Sequence, residues 1–299
     1  MKVTLAGSLG RIGKTLAQKL VKEGHTVTVI SSNPDRSKDI NTLGAIPSIG
    51  SLQDTNFLTS VFTGADVVYA IVPPANYFDQ TLDLYQYFVE LGDSFKMAVE
   101  NSGVKKLVNL SSIGAHLEKG NGILEGTYYV ENVLNSLPED VAITHIRPVE
   151  IYYNLFQFVD LIKHQGIIGS NLDKDDVNAW VSPEDIAEAV ANEIINIKSG
   201  RNVRYIASEE LTYSELATIL GNAIGKPDLQ WVKFTDEQVL ENLINVGMQP
   251  AIAHKMVEMY AAIHNGLLYK DYRKKEPKIE GKVKMKDFAK EFAVLYNQK

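Results

Sequence analysis

Three glycines, Gly7, Gly10 and Gly13, follow directly on a short apolar run and open a segment with helical periodicity. Phosphate binding is the chemistry this spacing suits. N–H groups in the first turn of a helix lack intrahelical partners, the helix dipole is positive there, and residues without side chains let an anion approach the backbone. On this reading Gly7 and Gly10 keep bulk away from a pyrophosphate, and Gly13 lets the helix pack tightly on a sheet. Ser8, Arg11 and Ile12 complete the loop beneath the ligand. A dinucleotide, NAD(P)(H), is therefore the expected ligand.

The second strand ends in Ile30-Ser31-Ser32-Asn33-Pro34-Asp35-Arg36. An NAD-selective site usually places a carboxylate at that strand end, where it binds the ribose 2′-hydroxyl and repels a 2′-phosphate. None stands there. Ser31, Ser32 and Asn33 offer hydrogen bonds instead, and Arg36 a fork of N–H donors. NADP(H) is favoured. NAD(H) remains the alternative if Asp35 turns inward and Arg36 stays on the surface.

Elements able to hold such a loop are legible around it. Short apolar runs alternate with helical patterns through the first half, as in βαβ units on a parallel sheet. The strands expected are Lys2 to Ala6, Val27 to Ile30, Ala45 to Ile49, Val67 to Val72, Lys106 to Leu110 and Ala142 to Ile146; the helices are Arg11 to Glu23, Leu82 to Asn101 and Tyr128 to Asn135. Val72-Pro73 would lie along the nicotinamide riboside, and Ser111 and Ser112 end the fifth strand at the ligand crevice. Past Pro148 the alternation weakens, and Gly166 to Asn178 reads as loop-rich. Ser182-Pro183-Glu184-Asp185 is a helix start, Tyr205 to Ala207 a strand, and Thr212 to Glu215 and Thr235 to Gln238 are capping boxes. Two further helices span Pro250 to Asn265 and Met285 to Asn297. The expected class is α/β, a doubly wound parallel Rossmann sheet with a smaller, mostly helical C-terminal lobe. Residues 1–150 form the dinucleotide-binding domain, 176–207 return to it, and 151–175 with 208–299 form the substrate-side lobe.

Composition narrows the function classes. The chain has 299 residues, 45% hydrophobic and 22% charged, with a net charge of −7, so it presents no basic face for direct nucleic-acid contact. Its most basic stretch, Arg273 to Lys286, also carries Glu276 and Glu280 and reads as a solvated loop. Without cysteine there is no disulfide, thiolate metal site or cysteine nucleophile. No apolar run reaches the roughly 20 residues of a membrane span, so no membrane association is expected and the cytoplasm is the default location. The histidines show no metal-ligand spacing, and no metal is expected.

Taken in order, several segments resemble the NmrA-like family of atypical short-chain dehydrogenase/reductases. The G-x-x-G-x-x-G spacing is one; Ser31 to Arg36 is similar to the family's turn after strand two, with Ser32 where arginine is usual. Gly103 to Ala115 resembles its fifth strand and following loop, and Ile143 to Pro148 with Tyr152-Tyr153-Asn154 resembles its "ILRP…EN" segment. The resemblance extends through Leu211 to Leu216, Gly247, the helix to Gly266 and Met285 to Ala289. It places Pro148 with the cofactor residues and Tyr152, Tyr153 and Asn154 near substrate. It implies either an NAD(P)H-dependent reductase of quinones, dyes or phenylpropanoids, or a regulator that binds the dinucleotide without turning it over and contacts a protein partner.

Typical short-chain dehydrogenases pair a tyrosine with a lysine four residues on, whose charge lowers the phenol pKa for proton transfer. Here Tyr128 has Asn132 at that position. Tyr128 could still donate a proton, with Ser111 or Ser112 holding the substrate oxygen. A quinone-like acceptor could be reprotonated by water, or the site could be an inactive sensor. His116 could serve as a proton shuttle. Tyr77, Phe78, Tyr152, Tyr153 and Phe156 could wall a flat, conjugated acceptor or pack as core between the lobes. The favoured reading is reduction of a small planar quinone or enone; the alternative is a redox-sensing regulator that binds NADP(H).

Overall fold

The computed structural model describes residues 1–298. In chain order its strands and helices are β1 (Lys2–Ala6), α1 (Arg11–Lys22), β2 (Thr26–Ser31), α2 (Arg36–Thr42), β3 (Ile46–Ile49), α3 (Thr55–Phe62), β4 (Val67–Ile71), α4 (Leu84–Ser102), β5 (Lys106–Leu110), α5 (Glu125–Asn135) and β6 (Ala142–Pro148). Then come β7 (Glu150–Ile151), α6 (Val159–Gln165), β8 (Ile168–Ser170), β9 (Val177–Val181), α7 (Pro183–Asn196), β10 (Arg201–Ile206), β11 (Glu209–Thr212), α8 (Tyr213–Ala223) and β12 (Trp231–Lys233). Helices α9 (Asp236–Asn245), α10 (Pro250–His264), α11 (Lys270–Lys275) and α12 (Met285–Asn297) complete the chain.

Seven parallel strands form the main sheet in the order β3-β2-β1-β4-β5-β6-β10. The order reverses at β1, so loops leaving β1 and β4 diverge and open a crevice at the carboxyl edge. One face of the sheet is covered by α1 and α7, whose Leu16, Leu20, Ile186 and Val190 share a core with Leu5, Val29 and Val108. The other face carries α3, α4 and α5 around Phe62, Phe95 and Leu134. Burial on both sides explains why these strands read as continuous apolar runs.

A third core, built on Tyr152, Trp180, Tyr213, Met256 and Phe292, lies in the C-terminal region. Helices α8, α9, α10 and α12 surround it with two small sheets, β11-β9-β7 and β12-β8. Both capping boxes close as expected: Thr212 accepts from the Glu215 N–H at 3.1 Å, and Thr235 from the Gln238 N–H at 3.2 Å. Ser182 likewise caps α7 by accepting from the Asp185 N–H at 2.9 Å.

One expectation is refined and one is corrected. Gly166 to Asn178 is not all loop, since β8 lies inside it and β9 begins at Val177. Nor is Arg273 to Lys286 simply solvated. Its first residues belong to α11, and its end is held by the Asp185 carboxylate, which accepts from the Lys282 N–H at 2.9 Å, the Val283 N–H at 3.0 Å and the Ser208 hydroxyl at 2.6 Å.

Candidate functional site

The glycine loop joins β1 to α1. Gly10 precedes the helix in an extended conformation, and no side chain caps the first turn, so its N–H groups are available to an anion. A Cβ on Gly10 would meet no atom within 4 Å. The other two glycines have different causes from those expected. A Cβ on Gly7 would collide with Ile71 Cγ2, and one on Gly13 with the backbone carbonyl oxygen of Ser8. Gly7 and Gly13 therefore answer to the protein's own packing. Gly10 alone faces free space, the cradle a dinucleotide would need.

Ser8 and Ser31 sit together behind the loop, with Ser8 Oγ donating to Ser31 Oγ at 3.1 Å. The buried Ser31 hydroxyl also accepts from the Asn33 N–H at 3.2 Å, so it shapes the turn after β2. Ser32, Asn33, Asp35 and Arg36 are exposed beyond it. Arg36 starts α2, and its guanidinium lies 3.3 Å from Asp39 on the helix surface.

Arg11 reaches the other way. Its guanidinium lies 5.0 Å from the Phe156 ring centroid and 5.6 Å from that of Tyr153, and it pairs with Glu291 of α12. The phosphate loop is thus tied to the C-terminal region through aromatic faces as well as charge.

A cavity of about 510 Å³ opens from this loop into the C-terminal region. Ile12, Val72, Pro73, Ser111, Ser112 and Pro148 line its sheet side. Tyr77, Phe78, Tyr153, Asn154 and Gln157 wall the far side, and α10 contributes Met256, Met259 and Tyr260. Flat aromatic faces and pliable methionines make a surface suited to a planar apolar ligand. Ser112 Oγ has no hydrogen-bond partner among the described residues, whereas Ser111 Oγ donates to Glu131 Oε1 at 2.5 Å.

Several expected contacts fall elsewhere. Tyr152 is fully buried, donates from its hydroxyl to Glu209 at 2.6 Å and stacks on Phe288 with ring centroids 5.4 Å apart. It belongs to the core. Phe156 stacks on Phe292 and also leaves the cavity wall. His116 is not among the lining residues. Its ring nitrogens are buried without partners, and burial pulls its pKa down against the opposing charge of Asp271, so the ring is neutral near pH 7.

Tyr128 is displaced by helical phase. On α5 the residues that turn inward are Thr127, Val130, Glu131 and Leu134, and it is Thr127 and Val130 that line the cavity. Tyr128 lies about 100° around the helix from Thr127, off the lining. The four-residue pair facing the sheet is therefore Thr127 and Glu131, not Tyr128 and Asn132. Glu131 is 4% exposed and is clasped by Arg147, with Nη2 to Oε2 at 2.6 Å and Nε to Oε1 at 2.9 Å. Arg147 Nη1 also donates to Tyr205 and to Asp271, each at 3.0 Å. Where a lysine would activate a phenol, this chain has a neutralised ion pair that orients Ser111.

The expectations passed over Glu150, Gln157, Tyr260, Tyr269 and the cavity methionines. Glu150 follows β6 where alternation has ended, and the α10 residues read only as an apolar helical face. No periodicity marks which part of such a face borders a void. Among the described residues, no three His, Asp or Glu side chains are grouped to hold a metal ion, and no helix is long and apolar enough to cross a membrane.

The family model for the NmrA-like family matches residues 1–286. The chain belongs to the NmrA-like family. Its seven-stranded parallel sheet has the strand order of a Rossmann fold. An NAD(P)H azoreductase from Xenophilus azovorans is 24% identical over 261 residues, 87% of this chain and 86% of that protein. An NADPH-dependent quinone oxidoreductase from Escherichia coli, crystallised with NADPH, superposes with a TM-score of 0.78 at 17% identity, covering 97% of this chain and 99% of the other. A triphenylmethane reductase from Citrobacter sp., complexed with NADP(H), gives a TM-score of 0.74 at 19% identity over 97% and 99% of the two chains. At these identities the solved structures speak to fold.

Proposed function

We propose that this NmrA-like protein is an NAD(P)H-dependent reductase of small, planar, conjugated acceptors such as quinones or enones. The observation that carries the reading is the single cavity running from Ile12 and Val72 at the phosphate loop to the Tyr77, Tyr153 and Tyr260 walls. It brings a candidate nicotinamide position and a flat apolar chamber into one volume. The relatives named as an azoreductase, a triphenylmethane reductase and a quinone oxidoreductase support an aromatic or conjugated acceptor.

The bound dinucleotide would supply hydride. This chain's residues do the rest. Gly10 and the open first turn of α1 receive the pyrophosphate. Ser32, Asn33 and Arg36, exposed after β2, would hold the adenosine 2′-position and favour NADP(H) over NAD(H). Val72, Pro73 and Pro148 would flank the nicotinamide, and Ser112 would offer a free hydroxyl to the acceptor. Residues 1–150 with 176–207 serve as the dinucleotide-binding unit, and the remainder closes the substrate side.

A second reading is a regulator that binds NADP(H) without turnover. The inward face of α5 favours it, because Thr127 and the Glu131–Arg147 pair supply no activated phenol. Oxidation of NADPH and NADH with a panel of quinones, enones and simple ketones separates the two. Turnover of the planar acceptors supports the reductase, and dinucleotide binding without any turnover supports the regulator.

A further inference from the structure

Glu150 lies where the cavity meets the core of the C-terminal region. It is one of the residues lining the chamber. Its Oε2 accepts a hydrogen bond from Asn178 Nδ2, whose own side chain is fully buried. Tyr213, at the start of α8, turns a buried hydroxyl toward the carboxyl without closing a hydrogen bond of good geometry. The other titratable groups around it are the phenols of Tyr260 on α10 and Tyr269 ahead of α11. No lysine, arginine or histidine forms an ion pair with Glu150 among the described residues.

A carboxyl without a cationic partner in an apolar chamber cannot hold its charge cheaply. Burial pushes its pKa up to about 7, against the opposing hydrogen bond from Asn178 and the nearby Tyr213 hydroxyl. The three surrounding phenols are themselves pushed upward by burial and stay neutral through the same range. Glu150 is therefore the group on the cavity wall that can carry a dischargeable proton near neutrality, in a site where α5 presents none.

We propose that Glu150, as the neutral carboxylic acid, donates a hydrogen bond to a carbonyl oxygen or imine nitrogen of the planar acceptor and gives up that proton as the acceptor is reduced. This rests on the reductase reading for its second half only. The balance is one hydride from the bound reduced nicotinamide and one proton from Glu150 for each acceptor. A C–H or heteroatom–H bond forms at the hydride end and an O–H or N–H bond at the other. The carboxyl O–H bond breaks, its electron pair stays on the carboxylate, and water reprotonates it before the next turnover. The preferred ligand is thus a neutral, flat molecule with a hydrogen-bond-accepting heteroatom at its far end.

The test separates binding from chemistry. Menadione, a neutral quinone, is titrated into the protein held with NADP⁺, so that nothing can be reduced, from about pH 5.5 to about 8.5. Wild type is expected to lose about tenfold in affinity between pH 7 and 8.5, as the acid ionises. Glu150→Gln is expected to bind with no such dependence, and Asn178→Ala, which removes the donor steadying the carboxylate, to move the midpoint to higher pH. The Asn178 variant keeps the test alive should the glutamine variant fold poorly. A pH-independent wild type, or a glutamine variant with the same pH course, overturns the proposal. So does a planar cation such as an N-alkylquinolinium that binds more tightly as pH rises while menadione does not respond, because Glu150 would then be a counter-ion. Failure of every acceptor to oxidise NADPH defeats the reductase reading and leaves the binding result standing. Turnover with pH-independent binding does the reverse.

Discussion

Arg147 and Glu131 form a two-pronged pair beneath the cavity, their side chains 7% and 5% exposed, with Ser111 hydrogen-bonded to the same carboxylate. The two partners are not equivalent. Without Glu131, Arg147 keeps Asp271 and Tyr205; without Arg147, Glu131 keeps only a serine hydroxyl. Arg147→Leu should therefore destabilise the fold by about 3–5 kcal/mol, the usual cost of orphaning a buried charge, and Glu131→Leu by less. Urea unfolding of both variants and the double variant checks the order. Equal losses would show that Asp271 does not support Arg147.

The three loop glycines should respond differently to substitution. Gly10→Val adds bulk only toward open space, so it should melt within about 2 °C of wild type and lose dinucleotide binding. Gly13→Ala drives a methyl into the Ser8 carbonyl and should cost about 1–3 kcal/mol of stability before any ligand is added. Calorimetric melting with and without NADPH distinguishes the two. A Gly10→Val protein with unchanged NADPH affinity would remove the loop from the cofactor site.

Cofactor choice should depend on Arg36. Its only partner among the described residues is the exposed Asp39, and replacing it with alanine leaves the fold's core untouched. Arg36→Ala should weaken NADPH by roughly 1–2 kcal/mol, the worth of a charge-assisted hydrogen bond, and leave NADH nearly unchanged. Fluorescence titrations with both dinucleotides decide. Equal weakening would move the 2′-phosphate away from this corner.

Much of the fold was readable because its central strands are buried on both faces and several of its helices, α7, α8 and α9 among them, begin with strong caps. Lys2–Ala6, Lys106–Leu110 and Met285–Asn297 have the bounds expected of them. Missed elements carry little local signal. Helix α2 buries only Ile40, and β8 is three residues long and exists through its pairing with β12. At the site, the glycine spacing marked the loop but not what each glycine avoids, which depends on Ile71 and on the fold of the loop itself. Tyr128 was misplaced because two adjacent tyrosines obscure the helical phase. Only the packing of α5 on the sheet shows that Thr127 and Glu131 point inward. Glu150 carries no motif, and its character comes from Asn178, Tyr213 and Tyr260, which are distant in sequence.

The raised pKa of Glu150 also makes stability depend on pH. The unfolded carboxyl titrates near its ordinary value of 4.5 and the folded one at about 7, so folding favours the protonated form. Its contribution is complete below about pH 4.5 and is lost as pH rises through 7, by roughly 3 kcal/mol. Glu150→Gln should remove that portion of the decline. Chemical denaturation of wild type and variant at about pH 5 and about pH 8 measures it, and parallel curves would mean that Glu150 is ionised in the folded protein.

The most direct measurement is the steady-state rate of NADPH oxidation with a quinone and with a simple ketone, in wild type, Tyr128→Phe and Gly10→Val. The expected result is quinone reduction that the Tyr128 substitution changes by less than about twofold, since that phenol is off the cavity wall, and that Gly10→Val abolishes. Ketone reduction should be slow or absent. Tight NADPH binding with no oxidation by any planar acceptor would contradict the account and leave a dinucleotide-binding regulator.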